Sequence, residues 1–212
     1  MVDVKVFTGG TVKTESVDAG LFGDRVLGRT LKDAIVMYEA NARAGTAKTK
    51  SRGEISGPNS KLWKQKHTGR ARMGSPNVSH WRGGGTAFGP KPRDHSFHMP
   101  KKARRVALRN ALFTKFRDGE VAVAEGWPKD APSTKQVVAI LKALEMERSV
   151  LVVTEAHDAN VNLSVRNIPL VDCLPVSDLN AYRVLQRRFM VVTPGALTAL
   201  KSAAAAAGKA GS

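Results

Sequence analysis

Hydrophobic and polar residues follow a helical spacing in two parts of the chain that lie on either side of a long aperiodic stretch. Apolar residues recur every three or four positions in residues 30–44 and again in residues 100–116, which predicts two amphipathic helices. Thr30 is the expected N-cap of the first helix, and Pro100 suits the first turn of the second. The basic residues of the second helix lie near its start and its large apolar residues near its end. We therefore expect its first turns to face a partner and its last turns to pack in the core.

Short apolar runs rich in β-branched residues predict strands in the rest of the chain. These runs are residues 2–7, 120–124, 149–154, 167–172 and 188–193. Helical patterns fall at residues 133–147, 159–165 and 177–182, and Thr193 and Pro194 are expected to cap a final alanine-rich helix. Ser133 and Gln136 have the spacing of a capping box. Alternating strands and helices predict an α/β fold, a Rossmann-like three-layer domain with a mostly parallel sheet.

The stretch between the two amphipathic helices, residues 45–99, has no apolar periodicity. It is rich in glycine and proline, which interrupt helices and strands. A segment of this composition cannot bury a core of its own. We therefore predict a globular domain made of residues 1–44 and 100–212, with residues 45–99 inserted as an extended loop that becomes ordered on a partner.

The charge of the chain is concentrated in and beside this loop. The whole chain has 34 Lys and Arg against 18 Asp and Glu, a net charge of +16. Residues 41–105 hold 16 of these cations and only two carboxylates, Glu54 and Asp94, which is a net charge of +14. A block of one sign indicates an interaction segment for a polyanion, either a nucleic acid or an anionic membrane surface.

Other features indicate the compartment. No apolar run approaches the length of a membrane span, and residues 1–20 lack the pattern of a signal or transit peptide. The single Cys173 lies in an apolar stretch, so we expect a small buried side chain and a reducing environment. We predict a soluble cytoplasmic protein without a membrane partner.

Three kinds of catalytic or metal site are disfavoured. The glycine-rich residues 81–93 are followed by Pro90 and Pro92 rather than by a helix, unlike a dinucleotide-binding loop. His95 and His98 lack the thiolate or carboxylate partners of a zinc site. A ribonuclease with His67 and His80 as acid and base is disfavoured, because no carboxylate cluster for Mg²⁺ appears in the sequence and nothing fixes the geometry of such catalysis. We predict no catalytic residue, cofactor or metal. A stand-alone RNA chaperone or regulator and a nucleotide-dependent enzyme remain the alternatives to a structural RNA-binding protein.

The loop has the residue types that hold RNA. Arg and Lys bind phosphates, glycines allow close approach of backbones, and Trp63, Trp81 and Phe88 can stack on unpaired bases or form a small local cluster. The predicted RNA-binding residues are Arg43, Lys48, Lys50, Arg52, Lys61, Trp63, Lys64, Lys66, Arg70, Arg72, Trp81, Arg82, Gly83, Gly84, Gly85, Phe88, Lys91, Arg93, Lys101, Lys102, Arg104, Arg105 and Arg109.

Three runs of sequence resemble one known family. KQKHTGRARMGS at residues 64–75, WRGGGTAFGPKPRDHS at residues 81–96 and PKKARRVAL at residues 100–108 closely resemble the bacterial type of the universal fourth protein of the large ribosomal subunit. The resemblance implies a non-enzymatic constituent of that subunit, on the cytoplasmic ribosome. Its partners would be large-subunit ribosomal RNA and neighbouring ribosomal proteins, and it would support subunit assembly and translation.

The resemblance also implies a role for the end of the loop. In that family the tip lines the nascent-peptide exit tunnel, near where macrolide antibiotics bind. By motif position the tip residues here would be Lys64, Gln65, Lys66, His67, Thr68, Gly69 and Arg70. His67 departs from the family's usual Gly and Met73 from a usual small residue. Because His lacks the freedom of Gly at positive φ, we expect either an altered local backbone or an ordinary φ at His67.

Overall fold

The computed structural model describes residues 1–128, 130–146 and 148–209, and the side chains of residues 1–205 within those ranges. The chain divides into two units. The first consists of residues 1–39 and the described residues from 98 onwards, and the second is residues 40–97. None of the helices in these described ranges is long and apolar enough to cross a membrane.

Six strands form one sheet in the first unit. They are β1 (Val2–Thr8), β2 (Thr11–Val17), β3 (Val121–Ala124), β4 (Val150–Thr154), β5 (Val171–Pro175) and β6 (Phe189–Val192). Their order across the sheet is β2-β1-β3-β6-β4-β5. β1 and β2 are antiparallel, and every other neighbouring pair is parallel. The sheet is therefore mostly parallel, as the sequence predicts.

Helices cover both faces of this sheet. They are α1 (Gly28–Ala42), α2 (Lys101–Arg117), α3 (Thr134–Ala143), α4 (Ala159–Val165), α5 (Ala181–Gln186) and α6 (Pro194–Lys209), with short 3-10 helices at Ala19–Phe22 and Val176–Asp178. Val121 and Val123 belong to a core with α1, α2, α5 and α6, whereas Ala122 and Ala124 belong to a core with α3 and α4. Because successive strand residues point to opposite faces, the two cores lie on opposite sides of the sheet. The predicted three-layer α/β fold is confirmed.

The two cores differ in what fills them. In the larger one, the rings of Phe22 and Phe116 stack with their centres 4.9 Å apart, and both side chains are fully buried. In the smaller one, aliphatic side chains such as Val137 and Val161 pack against the buried Trp127. The indole N–H of Trp127 donates a hydrogen bond to the Ala124 carbonyl at 2.8 Å.

Several predicted boundaries are wrong. The strand expected at 167–172 begins only at Val171, because residues 166–170 form a turn with Leu170 at φ 61°. The helix expected at 177–182 is two elements, since the Asn180 side chain accepts a hydrogen bond from the Arg183 backbone and starts a new helix there. β2 was not predicted. All its residues except Val17 are exposed, so it has no apolar signature.

Capping was predicted with mixed success. α1 begins at Gly28, so Thr30 lies inside the helix rather than at its N-cap, and Pro100 is the N-cap of α2 rather than its first residue. α3 ends at Ala143, and the Ser133 side chain makes no capping bond. Instead, the backbone N–H of Ser133 donates to the Ser164 hydroxyl at 2.9 Å. The predicted cap at Thr193 is confirmed, because its hydroxyl accepts from the Ala196 N–H at 3.3 Å.

Candidate nucleic-acid interface

The second unit, residues 40–97, is called the arm below. From residue 43 to its end the arm contains no helix or strand, and all of it is described. Hydrogen bonds join its outgoing and returning halves. They link Asn41 to Phe97, Gly45 to Arg93, Thr49 to Pro90, Lys50 to Thr86, Leu62 to Gly74 and Trp63 to Ala71. The midpoint of every pair lies between residues 67 and 70. The arm is therefore an irregular hairpin that reverses direction within the predicted tip, residues 64–70.

Close backbone contact holds the two halves together where glycines allow it. A Cβ on Gly85 would lie 2.3 Å from the Arg52 nitrogen, and one on Gly84 would lie 1.8 Å from the Val78 carbonyl oxygen. Both distances are far below van der Waals contact, so only glycine fits. A Cβ on Gly83 would meet nothing within 4 Å. Of the three predicted glycines, Gly84 and Gly85 therefore pack against the arm itself.

The turn of the hairpin contains a residue in an uncommon conformation. His67 has φ 66°, as does Gly69 two residues later. Of the two alternatives expected for His67, an ordinary φ is therefore wrong, and an altered local backbone stays a prediction. The left-handed region costs a residue with a Cβ about 1–2 kcal/mol, although His is among the residue types enriched there. At His67 the turn therefore has a backbone conformation that favours glycine.

The three aromatic residues of the arm differ in how accessible they are. Phe88 is fully exposed and Trp81 is 40% exposed, so neither forms the buried local cluster considered as an alternative. Trp63 is half-buried. Its indole N–H donates to the Ala71 carbonyl at 2.9 Å, and the Arg70 guanidinium lies over its ring. Phe88 and Trp81 thus have rings available for stacking, whereas Trp63 is partly covered.

Every Lys and Arg of the arm is exposed, but the two carboxylates of the arm are bound locally. Glu54 accepts hydrogen bonds from the Ser51 backbone and hydroxyl and pairs with Lys48 at 3.0 Å. These contacts, the Ser51 backbone bond first, lower the pKa of Glu54 to about 2. Asp94 accepts from the backbone and hydroxyl of Ser96, which lowers its pKa. Among the arm's cations, Lys48 alone forms an ion pair with a carboxylate. The others are available to an anionic ligand.

A hollow of about 470 Å³ in the arm combines the two kinds of contact that RNA needs. Lys91 and Phe88 line it, together with Thr49, Thr86 and the ion pair of Lys48 with Glu54. Of the two cations, Lys91 lacks a carboxylate partner, and a free cation beside an aromatic ring suits a phosphate and a stacked base.

A separate basic cleft of about 220 Å³ lies in the first unit. Lys101, Arg104 and Arg105 from the first turns of α2 line it, together with Tyr38 of α1 and Asn180 at the start of α5. The Nε groups of Arg104 and of Arg109, farther along α2, are buried and donate no hydrogen bond. Lys101 and Lys102 lie at a helix N-terminus with no acidic residue in its first turn. Cations there are unfavourable to the helix dipole, and together with the free backbone N–H groups they favour an anion.

Sequence reasoning missed two contributors to this cleft. In the sequence, Tyr38 is one of the regularly spaced apolar positions of the first helix, and Asn180 lies within the helix predicted at residues 177–182. In the structure Tyr38 is half-buried and its ring lies 6.3 Å from that of Tyr182. No sequence signal marks either residue, since only the packing of α1, α2 and α5 brings them together.

Comparisons with known proteins identify the family of this chain. The model of the family described as "Ribosomal protein L4/L1 family" matches residues 16–203. Large ribosomal subunit protein uL4 of Symbiobacterium thermophilum is 44% identical over 189 residues, which is 89% of this chain and 91% of the relative. The uL4 protein of Natranaerobius thermophilus is 40% identical over 193 residues, covering 91% and 93%. That of Moorella thermoacetica is 43% identical over 189 residues, covering 89% and 91%. The chain belongs to the ribosomal protein L4/L1 family.

Proposed function

We propose that this protein is a structural constituent of the large ribosomal subunit in the cytoplasm and that it binds large-subunit ribosomal RNA through the arm and the first turns of α2. The observation that carries the proposal is the charge of the arm. Its cations are exposed and all but Lys48 lack a carboxylate partner, while both of its carboxylates are held by local hydrogen bonds. Such a surface binds phosphates without neutralising itself.

The protein recognises RNA through two kinds of contact. The exposed Lys and Arg of the arm bind backbone phosphates, which fixes position rather than sequence. Phe88 and Trp81 stack on unpaired bases, the usual targets of proteins that bind RNA. In the first unit, Lys101, Arg104 and Arg105 bind a phosphate in their cleft, where the buried Arg104 Nε gains the acceptor that it lacks in the free protein.

The tip of the arm, residues 64–70, is proposed to reach the nascent-peptide exit tunnel. Support comes from the hydrogen bonds across the hairpin, whose midpoints fall at this tip, and from the resemblance of its sequence to the family's tunnel motif. The partners that follow are ribosomal RNA, neighbouring ribosomal proteins and, beside the tip, the nascent peptide. The role is structural support of subunit assembly and translation, without catalysis by this chain.

Sedimentation in high salt tests the proposal. Large subunits from cells that carry a tagged copy of the full chain are washed in high salt and pelleted. A structural constituent stays with the subunit in stoichiometric amount, because it is interlocked with RNA by many contacts. A stand-alone RNA chaperone is released, and its release would refute the proposal. A tagged basic RNA-binding protein that is not a ribosomal constituent serves as the control for the wash.

A further inference from the structure

A larger cavity of about 770 Å³ lies elsewhere in the first unit, at the carboxyl edge of the sheet. It is lined by residues that follow three parallel strands: residues 125–127 after β3, the end of β4 with residues 155–161, and residues 193–195 after β6. In open α/β sheets, ligands bind in the crevice outside the carboxyl ends of the strands. None of the residues proposed to bind RNA lines this crevice.

The crevice is acidic, unlike the rest of this strongly basic chain. Glu125, Glu155 and Asp158 line it together with His157, and its described lining contains no Lys or Arg. Within the described ranges, none of these three carboxylates forms an ion pair. A carboxylate-lined surface repels RNA phosphates, so it faces something other than RNA.

The positions of these carboxylates also exclude two small ligands. A Cβ on Gly195 would lie 2.3 Å from Glu155 Oε2, so this carboxylate packs against the start of α6. The Glu155 carboxylate therefore occupies the position at the N-terminus of α6 where a phosphate would bind. A metal ion fits no better, because no group of three His, Cys, Asp or Glu side chains in the described part of the chain is arranged to hold one.

A buried hydroxyl gives an independent indication of a ligand. Thr154, the last residue of β4, lines the crevice and is only 6% exposed, yet its Oγ1 has no hydrogen-bond partner. Burial raises the pKa of the neighbouring Cys173 thiol to about 11, and Thr154 only partly offsets this effect. Although the two groups are close enough to interact, their geometry does not make a hydrogen bond. Buried polar groups are nearly always paired. The Thr154 hydroxyl can therefore still form a hydrogen bond with a ligand in the crevice.

We infer that this crevice docks a Lys- and Arg-rich segment of a neighbouring protein. The three carboxylates bind the cationic heads, which form charge-assisted hydrogen bonds. Thr154 takes one further hydrogen bond, and the apolar wall formed by Trp127, Val161 and Pro194 contacts the aliphatic stems of the same side chains. The chain thus has one surface for RNA and another for protein. This inference does not depend on RNA binding by the arm.

Fluorescence of Trp127 provides a direct test in the full chain. The chain has three tryptophans, so replacing Trp63→Phe and Trp81→Phe leaves Trp127, at the crevice, as the sole reporter. The probe is an acetylated, amidated hexapeptide in which alanine alternates with lysine or arginine. We expect a saturable change in fluorescence with this peptide and none with the same peptide carrying glutamine at the basic positions. Because the second comparison alters the peptide alone, it does not depend on the folding of any crevice variant.

Matched variants locate the binding. In that background, combining Glu125→Gln, Glu155→Gln and Asp158→Asn should raise the peptide Kd by at least about tenfold. One oxygen of Asp158 caps α4 by accepting from the backbone N–H groups of Asn160 and Val161, and the amide oxygen introduced by Asp158→Asn keeps this capping function. Asp3→Asn, Glu15→Gln and Glu39→Gln make the same charge change at exposed positions and should leave Kd within about twofold. Equal weakening by both sets, or no saturable response to the basic peptide, would overturn the inference. So would a single-stranded oligouridine that changes Trp127 fluorescence in the parent but not in the crevice variant, because RNA would then be the occupant.

Discussion

The guanidinium of Arg70 lies over the ring of Trp63, with its central carbon 5.5 Å from the ring centre. The two residues stand on opposite sides of the turn of the arm, so this cation–π contact closes the turn together with the hydrogen bond from Trp63 to Ala71. The arm therefore supplies its own ligand for one face of this ring. At most one face remains for an RNA base.

Removing that cation should expose Trp63. The contact contributes about 0.5–1 kcal/mol at an exposed site, so Arg70→Ala should increase quenching of Trp63 fluorescence by acrylamide. The measurement uses a Trp81→Phe background, in which the remaining Trp127 is buried. Arg72→Ala removes an equal charge from the same segment without a ring contact and should leave quenching unchanged. Equal quenching in both variants would show that the contact does not form in solution.

Replacing His67→Gly should relieve strain in the turn. Glycine adopts φ 66° without the penalty of about 1–2 kcal/mol that a Cβ brings. Ribosomes with this variant should assemble in normal yield and show altered macrolide sensitivity and altered stalling on an arrest peptide, because the ring is lost from the tip while the backbone is kept. His80→Gly, at another exposed position of the arm, is the control. If macrolide sensitivity and stalling were unchanged, and a ribosome structure placed His67 far from the tunnel wall, residues 64–70 would not be the tunnel tip.

The salt dependence of RNA binding should report the phosphate contacts. If about eight cations touch phosphates, the slope of log K against log salt is about −6 to −7. Replacing Lys61, Lys64, Lys66 and Arg70 with Gln should reduce it to about −3 to −4. Lys13, Lys32, Lys135 and Arg166 are exposed cations of the first unit, and replacing those four with Gln should leave the slope unchanged. If only the replacements in the first unit changed the slope, the phosphate contacts would lie in the first unit and not in the arm.

The Glu54 carboxylate should titrate far below its ordinary range. Hydrogen bonds from the Ser51 backbone and the contact with Lys48 lower its pKa to about 2. A depressed folded pKa means that the interaction is fully present above the unfolded value near 4.5 and is lost as pH falls through about 2. NMR of the side-chain carboxyl carbon measures this directly. Lys48→Gln should raise the midpoint partway toward 4.5, since the Ser51 bonds remain, whereas Lys50→Gln should have little effect. An ordinary midpoint in the unchanged protein would show that the Ser51 turn is not formed without RNA.

The buried end of α2 should be sensitive to substitution. Lys115 is 5% exposed, and its ammonium donates to Glu120 and to the Arg188 carbonyl, both at 2.6 Å. Lys115→Met leaves both acceptors without that donor and should reduce the free energy of unfolding by about 3 kcal/mol. Arg117→Met, at the last residue of α2, breaks an exposed pair with Asp118 and should cost less than about 1 kcal/mol. Urea unfolding of the two variants measures the difference, and equal losses would argue against a buried pair.

Local patterns predicted most of the fold. Helix spacing identified α1 and α2 to within two residues. Apolar runs identified β3, β4 and β6 because these strands are buried, and β1 because its alternate residues Val4 and Val6 are buried. The apolar pattern did not predict β2, because this strand is held by its pairing with β1, as between Val17 and Val2, and not by burial of its side chains. The start of β5 was predicted too early in the chain, because the apolar Ile168 packs on the core from a turn and not from the strand.

The candidate interface was only partly accessible from the sequence. Charge and composition indicated the arm, and motif resemblance indicated the tip, but the roles of individual residues in RNA binding stay predictions. The cleft at α2 depends on Tyr38 and Asn180, which are far apart in sequence and meet only through packing. Glu125, Glu155 and Asp158 likewise look like ordinary loop residues until the parallel strands bring them to one edge.

Because the hydrogen bonds of the arm connect pairs of residues whose midpoints all lie between residues 67 and 70, its two halves are coupled in length. Inserting one residue into the outgoing half alone would shift Thr49 against Pro90 and Lys50 against Thr86, and would drive a side chain into the space that Gly85 leaves at Arg52. A compensating insertion in the returning half restores the register and lengthens the hairpin. Natural variation in the length of this segment should therefore occur as paired insertions and deletions placed symmetrically about residue 68, with the tip carried inward or outward as a unit.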